Sequence, residues 1–207
     1  MNNLKQCGLA LYMYANDYEE YLPPMRYNEG GWFAWNELII PYLFTGKKIT
    51  DYQFGVMKTT RSGSKPIMAC QSARPEIKTR NSDTYTYGVN YGWRDDTFAP
   101  FGIYITNTSY KGSKKLSQIK NQKCFLVTDA TNIWILNIIL DNPFDIDTDG
   151  DGIKDSHSGT SIYFPRSWYN YLAPRHSKGL NALLADGSVK YIPFLEFITN
   201  LDYWRIR

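Results

Sequence analysis

The 207-residue chain has little of what most often carries chemistry: three cysteines and two histidines. An odd number of thiols cannot pair completely within one chain, so a disulfide framework is excluded as the source of stability. Cys7 falls on the apolar side of a helical pattern and Cys124 inside an apolar strand pattern, where a thiol behaves as a small hydrophobe. Cys70 lies in a loop-like stretch and is the one expected to be paired or exposed. No Cys/His spacing of the zinc-binding kind is present. There is no Gly-x-Ser-x-Gly elbow and no phosphate-cradling glycine loop ahead of a helix. No run approaches the roughly 18 apolar residues of a membrane span, and no signal peptide is visible. Charge of one sign is also missing: 23 basic against 20 acidic residues leave a net +3, too balanced for the basic footprint of nucleic-acid binding. Internal repeats, low-complexity tracts and strong linkers are absent. One domain over residues 1–207 is therefore expected, long enough to bury a core without staples.

Aromatic residues are plentiful, with 17 Tyr, 10 Phe and 6 Trp. They suit a tyrosine-rich β surface over an aromatic core; a sugar-stacking or protein-docking face is the sharper alternative. Leu4, Cys7, Leu11, Tyr14, Ala15, Tyr18 and Leu22 recur at steps of three and four, which predicts an amphipathic helix over about 2–21. Pro23-Pro24 stops it. A second helix is expected from Trp32 to Leu43, with Pro41 in conflict near its end. Strands are expected at 84–91, 101–106, 123–129, 132–140, 160–164, 180–186 and 188–192, a short helical turn within 114–120, and a helix over 194–203. One long helix followed by mostly antiparallel strands, in a β-rich body at about 84–193, is an α+β pattern.

Near the C-terminus, His176 is followed by nine residues and then Asp186-Gly187. Asp-Gly between a buried-strand run, Leu180 to Asp186, and an alternating one, Ser188 to Ile192, predicts a hairpin with a type I′ turn, which needs positive φ at both central residues. This segment resembles the bacterial prepilin-type, processing-associated proteins with a His-x9-Asp-Gly signature, which look like type II secretion pseudopilins. Other segments follow in the same order. The opening Met1-Asn2-Asn3-Leu4-Lys5-Gln6, followed by Gly8-Leu9-Ala10-Leu11 and then Tyr14-Ala15-Asn16-Asp17-Tyr18, resembles the family's stretch just after its membrane helix, and Tyr21-Leu22-Pro23-Pro24 its ending. Cys70-Gln71-Ser72-Ala73 resembles its Cys-Pro-Ser element, with Gln71 replacing proline. Tyr87-Gly88-Val89-Asn90 resembles its Tyr-Gly-x-Asn strand, and Val127-Thr128-Asp129 its strand ending in Asp. The resemblance implies a pseudopilin-like soluble head whose long helix packs on an antiparallel sheet. It implies a hydrophobic helix upstream anchoring the protein in the inner membrane, so that Met1 is internal or engineered. It further implies an extracytoplasmic location, pilin-like subunits as partners, and a fragment that is monomeric by itself.

The run Asp145-Ile146-Asp147-Thr148-Asp149-Gly150-Asp151-Gly152-Ile153-Lys154-Asp155 carries five aspartates. Calcium takes six to eight oxygen ligands, and short loops supply them on alternate residues. Asp147, Asp149, Asp151 and Asp155 fit positions 1, 3, 5 and 9, with the Ile153 carbonyl at position 7 and Gly152 at the sharp turn. A second register starts at Asp145 and places Asp151 at position 7 and Ser156 at position 12. The loop resembles EF-hand-like and thrombospondin type 3 calcium loops, but Ser158 stands where the bidentate Glu belongs. The site is expected to be weak and structural. His157 beside it reads as a flanking exposed residue.

His176 and Asp186 could be imagined as an acid/base pair with Cys70 or a Ser as nucleophile. The blander roles prevail: a turn Asp bonds nearby amides and a His bonds a carbonyl or packs on a ring. No catalytic residue is assigned, and the protein is read as a structural assembly subunit rather than an enzyme. A calcium-dependent carbohydrate- or protein-binding module is the alternative.

Overall fold

Leu4, Cys7, Ala10, Leu11, Tyr14 and Ala15 are all buried, and they lie on one side of a single helix. In the computed structural model the described residues are 1–28, 32–44, 70, 72, 87–91, 99–105, 112–130, 134–136, 144–146, 155–157, 172 and 176–207. In chain order the elements are α1 (Asn2–Asp17), β1 (Arg26–Asn28), β2 (Trp32–Ala34), α2 (Trp35–Leu38), α3 (Ile40–Leu43) and β3 (Tyr87–Tyr91). They continue with β4 (Ile103–Ile105), β5 (Phe125–Asp129), β6 (Trp134–Leu136), β7 (Phe144–Ile146), β8 (Asp155–His157), β9 (Gly179–Leu184), β10 (Val189–Pro193) and α4 (Phe194–Thr199). Short 3-10 turns occupy Leu116–Gln118 and Leu201–Tyr203. The architecture is α+β. Its main sheet runs β10-β9-β5-β3-β6, antiparallel through the first four strands and parallel only at β6. The expected strand at 160–164 lies outside the described residues.

Two cores flank this sheet. The α1 side gathers Leu4, Cys7, Leu11 and Tyr14 with Val89, Leu126, Val127 and Leu183. The other gathers Phe125, Ala182 and Leu184 with Phe197, Ile198 and Trp204. Coverage on both faces explains why β9 is buried throughout and reads as a mainly apolar run, interrupted at Asn181, rather than an alternating one. Strand β5 is irregular. Phe125 pairs with Leu184 and Val127 with Leu183, so Leu126 is an extra residue in the ladder. That bulge lets both Leu126 and Val127 join the α1 side.

Two helical expectations are corrected. Helix α1 ends at Asp17 rather than Tyr21, before the prolines are reached. The chain leaves it through Glu19 and Glu20, both at positive φ (51° and 69°), and the Glu20 amide donates to the Ala15 carbonyl at 2.7 Å. This is a left-handed C-terminal cap made without glycine. The single helix expected at 32–43 is a strand and two short helices. Pro41 opens α3 instead of interrupting a longer helix, as its missing N–H requires. Residues 32–34 pair with β1 instead. Glu37 turns back so that its Oε2 accepts the Ala34 amide at 2.7 Å, closing the start of α2.

The Asp186-Gly187 hairpin forms, but not through a type I′ turn. Gly187 alone takes positive φ (80°) there. The Gly187 amide donates to the Leu184 carbonyl at 3.0 Å, and the Leu184 amide donates to the Ser188 carbonyl at 2.9 Å. This is the three-residue loop with a left-handed glycine. Asp186 Oδ1 accepts the Ser188 amide at 2.8 Å, a side-chain turn that fixes this form over the two-residue one. The tip is tied to α1: Tyr12 donates its hydroxyl to the Ala185 carbonyl at 2.8 Å. Gly8 lets the helix approach, since a Cβ there would lie 2.8 Å from a Leu183 methyl.

Candidate functional site

His176 precedes β9, pairing back on Gly179. The His176 amide donates to the Gly179 carbonyl at 3.1 Å, and the Gly179 amide returns a bond to the His176 carbonyl at 2.9 Å. The two residues between them, Ser177 and Lys178, have φ of 47° and 64°. The positive-φ pair expected at Asp186-Gly187 therefore occurs here, on residues with side chains, where each such conformation costs about 1–2 kcal/mol. Neighbours hold it in place. Tyr191 donates its hydroxyl to the Ser177 carbonyl at 2.9 Å, and the Phe194 amide donates to the Lys178 carbonyl at 3.1 Å. The Tyr191 ring lies over Gly179 so closely that a Cβ would stand 2.5 Å from it.

The turn aims the His176 ring at the end of β5. His176 Nε2 lies 3.3 Å from Asp129 Oδ2 and 3.3 Å from Cys70 Sγ. Asp129 is fully buried (0% exposed), whereas the His176 side chain is 25% exposed. Asp129 Oδ2 also accepts the Asn181 amide of β9 at 2.7 Å, and Thr128 donates its hydroxyl to the Asn181 carbonyl at 2.9 Å. The carboxylate is thus pinned by the neighbouring strand. The thiol, carboxylate and imidazole atoms all lie within 4.8 Å of one another. Cys70 is buried, not exposed, and all three cysteines are thiols, which corrects the expectation for this residue. Burial pushes the Cys7 thiol up to about 12 and raises the Cys124 thiol as well, so both are inert hydrophobes.

The geometry decides against a nucleophilic relay. A Cys-His-Asp relay puts the thiol on one ring nitrogen and the carboxylate on the other. Here both partners meet Nε2. The arrangement can share one N–H between two acceptors, form an ion pair when the imidazole is protonated, or present three donor atoms to one point.

Asp186 takes no part in this cluster. It sits past the far end of β9, and six strand residues span about 20 Å. Burial raises the Asp186 carboxyl, but the Ser188 bonds and the Lys190 charge outweigh it and leave the group below its usual range. The Asn90 of the Tyr-Gly-x-Asn strand is buried and structural, its amide donating to the carbonyls of Phe125 and Trp204, each at 3.1 Å.

Of the calcium-loop residues, Asp147, Asp149, Asp151 and Ile153 lie outside the described residues. Asp155 begins β8, whose backbone pairs antiparallel with β7 in the register Ile146↔Asp155. The two ends of the acidic run are therefore hydrogen-bonded neighbours. Near the end of α1, Tyr14 and Tyr18 stack with centroids 4.2 Å apart, beside an open groove bordered by Tyr21, Leu22 and Leu38.

Asp129 is the residue that sequence reasoning left out of the site. The available signal was its position closing an apolar strand, Phe125 to Thr128, that pairs with the strand after His176. None of the family models, curated proteins or solved structures compared with the chain matches it.

Proposed function

We propose that this chain is the head domain of a pseudopilin-like subunit in a type II secretion or type IV pilus-like assembly, a structural rather than catalytic role. One observation carries the reading. The face of α1 turned away from the sheet carries two large apolar side chains among the polar Gln6 and Asn16. Leu9 is 64% exposed and Met13, one turn on, is 44% exposed. Lys5 and Asp17 are the only charged residues in Asn2–Asp17. A pair of exposed apolar side chains one turn apart, on a face with little charge, suits contact with another subunit better than contact with water. The tie between Tyr12 and the His-x9-Asp-Gly hairpin supports the same reading, since it makes helix and signature one unit.

In this reading a hydrophobic helix upstream continues α1 into the inner membrane, and the head stands in the extracytoplasmic space beside other pilin-like subunits. No described helix is itself long and apolar enough to cross a membrane. The acidic loop binds calcium through Asp147, Asp149, Asp151, the Ile153 carbonyl and Asp155 and stiffens the head. The paired β7 and β8 support this by holding the loop's ends together.

The test is a Leu9→Lys/Met13→Lys variant of the protein expressed with its native upstream sequence. Both side chains are exposed, so the melting temperature should stay within about 2 °C of wild type, less than 1 kcal/mol of change. Site-specific cross-links from a probe at the exposed position 6 to other pilin-like subunits should disappear in the variant, and the isolated head should sediment as a monomer. Unchanged cross-linking in the variant, or a tight oligomer of the head alone, would overturn the reading.

A further inference from the structure

We infer that Cys70, Asp129 and His176 form a binding site for a divalent transition-metal ion of the zinc class, separate from the acidic loop and independent of the assembly role. The donor set is mixed: one thiol sulfur, one imidazole nitrogen and one carboxylate oxygen. Thiolate with imidazole selects zinc-class ions, whereas calcium and magnesium take oxygen only.

Distances agree with the donor types. With Zn–N and Zn–O near about 2.0–2.1 Å and Zn–S near about 2.3 Å, tetrahedral geometry spaces N from O by about 3.3 Å and N from S by about 3.5 Å. The observed edges are 3.3 Å for His176 Nε2 to Asp129 Oδ2 and 3.3 Å for His176 Nε2 to Cys70 Sγ. Convergence of both partners on one ring nitrogen, which spoils a relay, is what coordination of a single ion through Nε2 requires.

The surroundings are built as a site. Asp129 is fully buried and oriented by the Asn181 amide, the outer-shell support that metal-binding carboxylates carry. His176 is carried on a strained turn that Tyr191 and Phe194 hold in place, and such strain gathers at functional positions. Partial exposure of His176 leaves the ion reachable from solvent, so three protein ligands plus one water complete four-coordination. Binding is not a redox step. The Cys70 thiol proton leaves to solvent, the sulfur binds as thiolate, and the imidazole binds as the neutral tautomer with its proton on Nδ1.

The experiment titrates the full chain, stripped with chelator, with Co2+ and follows its absorption spectrum. Wild type should show a thiolate-to-Co2+ charge-transfer band saturating at one equivalent. Zn2+ should abolish the band and Ca2+ should not. Cys70→Ser should lose the band, and His176→Gln should weaken binding at least tenfold, while Asp149→Ala in the acidic loop should change neither. X-ray absorption on Zn2+-loaded wild type provides a readout that needs no variant, with one sulfur and the remaining ligands nitrogen or oxygen. Absence of a charge-transfer band in folded wild type, an unchanged band in Cys70→Ser, or a zinc shell without sulfur would each overturn the inference.

Discussion

Gly179→Ala perturbs the point where the strained turn meets its support. A Cβ at position 179 would stand 2.5 Å from Cε2 and Cζ of Tyr191 and 2.6 Å from its hydroxyl oxygen, so the ring must leave. Tyr191 is 41% exposed and can swing outward, which limits the damage compared with a clash in a sealed core. Two contributions are lost. One is the hydroxyl bond to the Ser177 carbonyl, about 1 kcal/mol net. The other is ring burial over the strand, about 1 kcal/mol for roughly 40 Å² of apolar surface. Replacing a strand glycine returns about 0.5–1 kcal/mol of backbone entropy. The net destabilisation is about 1–1.5 kcal/mol, or roughly 2–6 °C in melting temperature for a chain of this size. The assay is a set of thermal melts on wild type, Gly179→Ala, Tyr191→Ala and the double variant. With no ring to displace, the alanine should become neutral or stabilising in the Tyr191→Ala background, giving a coupling of about 1.5–2 kcal/mol. Equal costs of Gly179→Ala in both backgrounds would refute the reasoning.

Three further outcomes are expected. Ser177→Asn with Lys178→Gly places the preferred residue pair at the positive-φ positions and should stabilise by about 1 kcal/mol in a denaturant titration; destabilisation would mean that these side chains do more than occupy the turn. Burial raises the Glu37 carboxyl above its ordinary 4.5, a shift the Ala34 amide bond only partly offsets. The native state then holds that proton more tightly than the unfolded chain, so this group's contribution falls as pH rises from 4.5 through the raised value. Glu37→Gln keeps an acceptor for the Ala34 amide, so its stability relative to wild type should grow from pH 4 to pH 7, and pH-independent differences in chemical denaturation would refute it. Calcium at a hundredfold excess over its dissociation constant, roughly 10⁻⁴–10⁻³ M for such a loop, should stabilise wild type by about 2.7 kcal/mol and leave Asp149→Ala unmoved; equal melts with calcium and with chelator would exclude the site.

Local rules were enough for much of the fold. The three-and-four spacing from Leu4 to Tyr14 reports the buried face of α1, because helix geometry alone puts those positions on one side. The apolar runs at β5 and β9 and the Asp-Gly corner mark the central hairpin and its neighbour. Pro41 signals a break, although period alone could not say that the segment before it would join a sheet. Nearest-neighbour chemistry also chose the wrong turn. Asp-Gly is the stronger candidate for paired positive φ, yet that conformation belongs to Ser177-Lys178, because Tyr191 of β10 and Phe194 at the start of α4 offset its cost.

The site itself was legible only in pieces. Cys70, Asp129 and His176 each stood in a segment with a recognisable pattern, but 106 residues separate the thiol from the imidazole, and no spacing rule spans such a distance. The antiparallel pairing of β5 with β9 sets Asp129 beside Asn181 and within reach of His176. Where the chain buries apolar faces and where it turns can be read locally, since these depend on residues a few positions apart. Which polar residues meet is a property of the assembled fold, because it follows from strand order and register and from the packing that holds a strained turn against them.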